Sequence, residues 1–131
     1  MPADPKLPTS RDAPAPILAI AADLMFASRI RAVALAAGID AELVRSPAAL
    51  LDAARERAPR RILIDLDARA FDPAALIRQL KQDERTRDID VVAFVSHVRE
   101  DAIAAARDAG ADRVLARSAF VRELPALIGN P

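Results

Sequence analysis

Short apolar runs alternate with longer stretches in which apolar positions recur every three or four residues, and the rhythm repeats five times along the chain. "PILAIAA" (16–22), "AELVR" (41–45), "RILIDL" (61–66), "VVAFV" (91–95) and "RVLA" (113–116) have strand length. Such continuous runs mark strands buried on both faces. The first intervening stretch, 24–38, places Phe26, Ile30, Val33 and Ala37 at helical spacing, with Asp23 as N-cap and Gly38 as the stop. Ser46-Pro47 and Asp72-Pro73 each join a capping side chain to a proline preset for the first helical turn. They predict helices from 47 to about Arg57, ended by Pro59, and over 73–82. An alanine-rich helix is expected over 99–109, stopped by Gly110. Ser118 offers a cap for a last helix, in which Pro125 predicts a kink or a late start.

Five strands, each followed by a helix, predict an α/β fold: a doubly wound five-stranded parallel sheet of flavodoxin-like type, covered on both faces. In such sheets ligands gather outside the carboxyl ends of the strands, where the winding reverses. Asp65 ends the third run, and Ala21, Ala22, Val95, Ser96 and Arg117 fall at other strand ends. Asp67 reads as a solvated or capping acid, and Asp72 as the cap of the third helix.

Composition narrows the chemistry. The 131 residues fit one domain of 16–131 behind a proline-rich tail, 1–15, expected to stay extended or disordered. Nineteen basic residues balance nineteen acidic ones, which gives no reason to expect long-range attraction to nucleic acid or an anionic membrane. The cluster Arg55, Arg57, Arg60 and Arg61 reads as a solvated edge, not a nucleic-acid footprint. No run of 18 apolar residues and no signal-peptide core is present, so a cytoplasmic location is expected. Cysteine is absent and His97 is the single histidine, which speaks against thiolate sites, His-based metal sites and a Ser-His-Asp triad. His97 itself reads as a loop residue near the site rim. Three glycines form no phosphate loop, so an enzyme is not expected.

"ILAIAADLMFASRIRAVALAAG", "ILIDLD", "DERTRDIDVVAFV" and "AGADRVLARSAF", in this order from Ile17 to about Ile128, resemble the receiver domain of bacterial response regulators. The resemblance implies strand order 2-1-3-4-5. It also implies phosphoryl transfer to an aspartate at the end of the third strand, the position of Asp65. Such chemistry needs a divalent cation, because a carboxylate must approach a phosphorus ringed by negative oxygens, and Mg²⁺ prefers carboxylates and water. Receivers supply an acidic pair after strand one, a Ser/Thr after strand four and a lysine after strand five.

Here the acidic pair falls on Ala21 and Ala22, the hydroxyl on Val95 and the lysine on Arg117. The following proline is Ser118, and the switch aromatic of strand five is Val114. A one-place slip would recruit Asp23, but the ungapped match to Gly38 argues against it. The expectation is a degenerate receiver, with no catalytic residues and no metal site, in which Asp65 pairs with Arg117. It would act as a stand-alone signalling module by protein–protein interaction. The partner would dock on the face of helix 4, strand 5 and helix 5, where "AIAAA" (102–106) offers a smooth surface, or a second copy would form a homodimer. Two alternatives stay open. One is a response regulator phosphorylated at Asp65 with Mg²⁺; the other is a sensor of a small anion or metabolite near Asp23, Asp65, Ser96 and Arg117.

Overall fold

The computed structural model describes residues 15–96 and 99–129. The tail expected over 1–15, apart from Ala15, and His97 lie outside the described residues. Strands β1 (Ile17–Ile20), β2 (Ala41–Leu43), β3 (Arg61–Asp65), β4 (Asp90–Val95) and β5 (Arg113–Ala116) alternate with helices α1 (Leu24–Ala37), α2 (Pro47–Arg57), α3 (Pro73–Gln82), α4 (Glu100–Ala109) and α5 (Arg117–Gly129). The strands form one parallel sheet in the order β2-β1-β3-β4-β5.

Alternation along the strands splits the core into two layers. Ile17, Ala19, Leu63, Val92 and Phe94 face α1 and α5, where they meet Phe26, Ile30, Phe120 and Leu124. Leu18, Ile20, Ile62, Ile64, Val91 and Ala93 face the other way, against Leu50, Leu76, Ile77, Leu80 and Ala106. Both faces of the central strands are dry, which is why their sequence reads as unbroken apolar runs. In the first layer Phe94 stacks on Phe120 at 4.1 Å between ring centroids, and Phe26 meets Phe94 edge-on at 4.9 Å. Such contacts add about 0.5–1.5 kcal/mol each beyond the area they bury.

Local signals set most helix ends. The Asp23 carboxylate accepts from the Met25 N–H at 2.7 Å, Ser46 Oγ from Ala49 at 3.1 Å, and Asp72 from Ala75 at 3.2 Å. Gly38 and Gly110 close α1 and α4 in the left-handed region. Several expectations need correction. The buried stripe of α1 is Phe26, Ala27, Ile30 and Ala34, with Val33 half-buried and Ala37 exposed. α5 begins at Arg117, so Ser118 lies in its first turn and does not cap it, and the helix continues through Pro125 without a late start. The alanines of 102–106 do not form a smooth outer face: Ala102 and Ala105 turn toward a cleft shared with α3, and Ala106 is buried.

Of the arginine cluster only Arg57 lies on an exposed edge; Arg55, Arg60 and Arg61 are half-buried. Arg55 Nε donates to Asp83 at 2.7 Å, and Arg57 bridges Asp40 and Glu42. Arg61 Nε donates to Asp90 at 2.6 Å while its Nη1 reaches the Leu127 carbonyl, and Arg60 reaches the carbonyl of Ile128. Arg60 and Arg61 thereby satisfy carbonyls in the last turn of α5, where the helix carries its partial negative charge.

Candidate functional site

Asp65 is the last residue of β3, and its side chain is buried, with 1% exposure. The β1–β3 register sets Ile20 beside Ile64, so Ala21 and Ala22 leave β1 next to it. This is the reversal point of the sheet, at the carboxyl ends of β1 and β3. The Ala22 N–H donates to Asp65 Oδ2 at 3.0 Å, and the Asp67 N–H donates to Oδ1 at 2.8 Å. Burial pushes the Asp65 carboxyl above its usual range. The Asp67 and Ala22 amides oppose that shift, the negative charge of Asp67 adds to it, and the Asp23 amide opposes it; burial prevails.

The expected Asp65–Arg117 ion pair is absent: among the described residues Asp65 makes no salt bridge, and both its oxygens are turned to main-chain amides. Arg117 instead lies over the ring of Phe26, with its guanidinium carbon 5.4 Å from the centroid. Asp67 is not a solvated acid either. Its Oδ2 accepts from the Ser96 N–H at 2.5 Å and ties the loop after β3 to the end of β4. Asp23 lines the same cleft while capping α1. Val95 is buried, and Ser96 follows it at the cleft wall.

The cleft over Asp65 encloses about 440 Å³. Asp23, Asp65 and Asp67 line it together with Arg69, Arg99 and Arg117. Arg69 and Arg99 were not expected from the sequence; only their places, four residues beyond Asp65 and at the start of α4, hinted at them. A second hollow of about 620 Å³ adjoins the cleft, shares Ser96 and Arg117 with it, and is lined also by Met25, Phe26, Ser118 and Val121. A Mg²⁺ ion would need converging carboxylates. Among the described residues no group of three His, Cys, Asp or Glu side chains could hold a metal ion, and alanines occupy the two positions beside Asp65.

No protein-family model matches the sequence, and no curated protein matches it. Solved structures do. A protein from Chloroflexus aurantiacus J-10-fl assigned as a response regulator is 21% identical, with a TM-score of 0.77 over 89% of this chain and 96% of that one. The receiver domain of a sensor histidine kinase from Pseudomonas aeruginosa PAO1, solved with magnesium in its active-site cleft, is 20% identical, with a TM-score of 0.74 over 90% of this chain and 100% of that one. A sensor protein from Polaromonas sp. JS666 is 25% identical, with a TM-score of 0.69 over 89% of this chain and 98% of that one. The fold is that of receiver domains. No helix among the described residues is long and apolar enough to cross a membrane.

Proposed function

We propose that the chain is a signalling module of the receiver type that works by binding a protein partner, and that magnesium-dependent phosphorylation of Asp65 does not control it. One observation carries this reading. At the positions where receivers resemble one another in an acidic pair, this chain has Ala21 and Ala22, and what Ala22 presents to Asp65 is a main-chain N–H at 3.0 Å. An amide donor there stabilises the carboxylate as it stands and offers nothing to a cation. The Pseudomonas receiver carries magnesium in its active-site cleft, whereas among the described residues here no group of three His, Cys, Asp or Glu side chains is placed to hold a metal ion. Val95 brings no hydroxyl to the phosphoryl position, and the lysine position holds Arg117, whose planar fork has different geometry.

With no nucleophile–base pair assembled among the described residues of the cleft, the module is read as non-enzymatic, and its output as an interface. The α4–β5–α5 face is the proposed docking surface, since β5 is a sheet edge with its first and last residues exposed. A heterologous partner or a second copy of the chain would use it; nucleic acid and membrane are not the proposed targets.

Backbone NMR during titration with beryllofluoride and Mg²⁺ tests the proposal. The expected result is no saturable shift around Asp65. Saturable shifts at residues 65–67, lost in Asp65→Asn, would establish the alternative, a phosphorylatable regulator.

A further inference from the structure

We propose that the cleft over Asp65 and the apolar hollow beside it form one site for a small organic phosphomonoester, bound without a divalent cation. The inference rests on the magnesium-free reading of the cleft. Its first support is a charge imbalance in use rather than in number. The three carboxylates of the cleft are each held by main-chain amides: Asp65 by Ala22 and Asp67, Asp67 by Ser96, and Asp23 by Met25. The three arginines are not so held. Among the described residues Arg69 and Arg117 meet no carboxylate within ion-pairing distance, and Arg99 approaches Asp101 only at 3.9 Å, with both side chains exposed. Three guanidinium groups with open donors line this one cleft, and guanidinium donors pair in forked fashion with the acceptor oxygens of a phosphate.

The second support is the adjoining hollow. It shares Ser96 and Arg117 with the cleft, and the Phe26 ring under Arg117 forms part of its wall. Met25 is 68% exposed there, an uncovered apolar side chain beside a charged cleft. At about 620 Å³ the hollow is within the range of small-molecule sites. A ligand with a phosphate head among the arginines would lay an apolar body against Met25, Phe26 and Val121. Arg117, at the junction, would contact both parts.

Phenyl phosphate and inorganic phosphate serve as probes, titrated into the full chain in EDTA and followed by calorimetry and amide NMR. Saturable binding is expected in EDTA, with phenyl phosphate at least about tenfold tighter than phosphate, and shifts at Met25, Ser96 and Val121. Arg117→Met should weaken both probes about tenfold or more. Met25→Ser should weaken phenyl phosphate while leaving phosphate unchanged. Equal affinity for the two probes, or indifference to Arg117→Met in a variant whose NMR spectrum is otherwise native, overturns the inference. Absence of binding with and without Mg²⁺ overturns it and leaves the proposed function standing. Binding only when Mg²⁺ is supplied overturns both.

Discussion

The Ala22 N–H and the Asp65 carboxylate meet at 3.0 Å, so the end of β1 addresses the end of β3 through its backbone and not through a side chain. Asp65 is thus a buried acid held by amides, with no ion pair to the arginines that line its cleft. That arrangement has measurable consequences for stability.

The first concerns pH. Asp65 is harder to ionise in the folded chain than in the unfolded one, chiefly because it is buried. A raised folded value means that the proton stabilises the fold. The contribution is complete below the ordinary value of 3.8 and is lost as pH rises through the folded value. Asp65→Asn cannot titrate, and its amide nitrogen would confront one of the two N–H donors at a roughly constant cost of about 1–2 kcal/mol. The stability of the wild type relative to the variant should therefore be greatest in acid and decline toward neutrality. Urea unfolding across that pH series measures it; a difference that grows with pH would refute the burial argument.

Asp67 supports a different joint. Its carboxylate accepts from the Ser96 N–H at 2.5 Å and joins the loops that follow β3 and β4. Asp67→Ala should cost about 1–2 kcal/mol and lower Tm by several degrees. Because the Asp67 charge also pushes the Asp65 carboxyl upward, the same variant should bring Asp65 down. Carboxyl NMR titration of Asp65 in Asp67→Ala reads that shift directly.

The arginines separate by burial. The Arg61 side chain is 12% exposed and holds both Asp90 and the Leu127 carbonyl. Arg61→Met should cost about 2–3 kcal/mol, since Asp90 and the end of α5 both lose their donor. Arg57, at 35% exposure, bridges Asp40 and Glu42 at the surface. Arg57→Met should cost about 1 kcal/mol or less and should matter least in high salt. Chemical denaturation of both variants at two salt concentrations tests the order.

Much of this fold is legible because its signals are local. Ser46-Pro47 and Asp72-Pro73 start their helices where the sequence says, since cap and donor lie three residues apart. The five apolar runs give the strands and their number. What the sequence hides depends on partners far away. Ala34 is buried and Ala37 exposed on a helix that packs against α5, far along the chain, and Arg61 finds its carbonyl 66 residues downstream. Asp65 could be placed at a site from its position at a strand end. Its hydrogen bonds could not, because they come from main-chain amides that every residue type would supply. Arg69 and Arg99 belong to loops whose convergence no spacing rule predicts.

One C-cap departs from the glycine rule. Ala58 ends α2 at φ 46°, ψ 60°, in the left-handed region, whereas Gly38 and Gly110 occupy that region at the ends of α1 and α4. Ala58→Gly should stabilise the chain by about 0.5–1 kcal/mol, the relief of backbone strain exceeding the entropy gained by the unfolded chain. Gly110→Ala should do the opposite, because φ is 110° and its new Cβ would meet Lys81 Cγ at 3.0 Å. Thermal unfolding of the two variants should move in opposite directions.

The sharpest consequence of the alanine pair is a gain of function. If the cleft lacks magnesium affinity because Ala21 and Ala22 bring no carboxylates, Ala21→Asp/Ala22→Asp should restore it. Ala22 lines the cleft with Asp23, Asp65 and Asp67, and Ala21 precedes it at the end of β1. Two unit charges about 4 Å apart repel by roughly 4 kcal/mol at an effective dielectric near 20, before screening and protonation reduce it. The double variant should therefore melt well below the wild type in EDTA. Millimolar Mg²⁺ should recover part of that loss, because an ion that binds only the folded state stabilises it by mass action. The wild type should show no Mg²⁺ response beyond that to an equal ionic strength of sodium chloride. A wild-type Tm that rises with Mg²⁺ as steeply as the variant's would mean that Asp23, Asp65 and Asp67 already suffice, and the magnesium-free reading of Asp65 would fail with it.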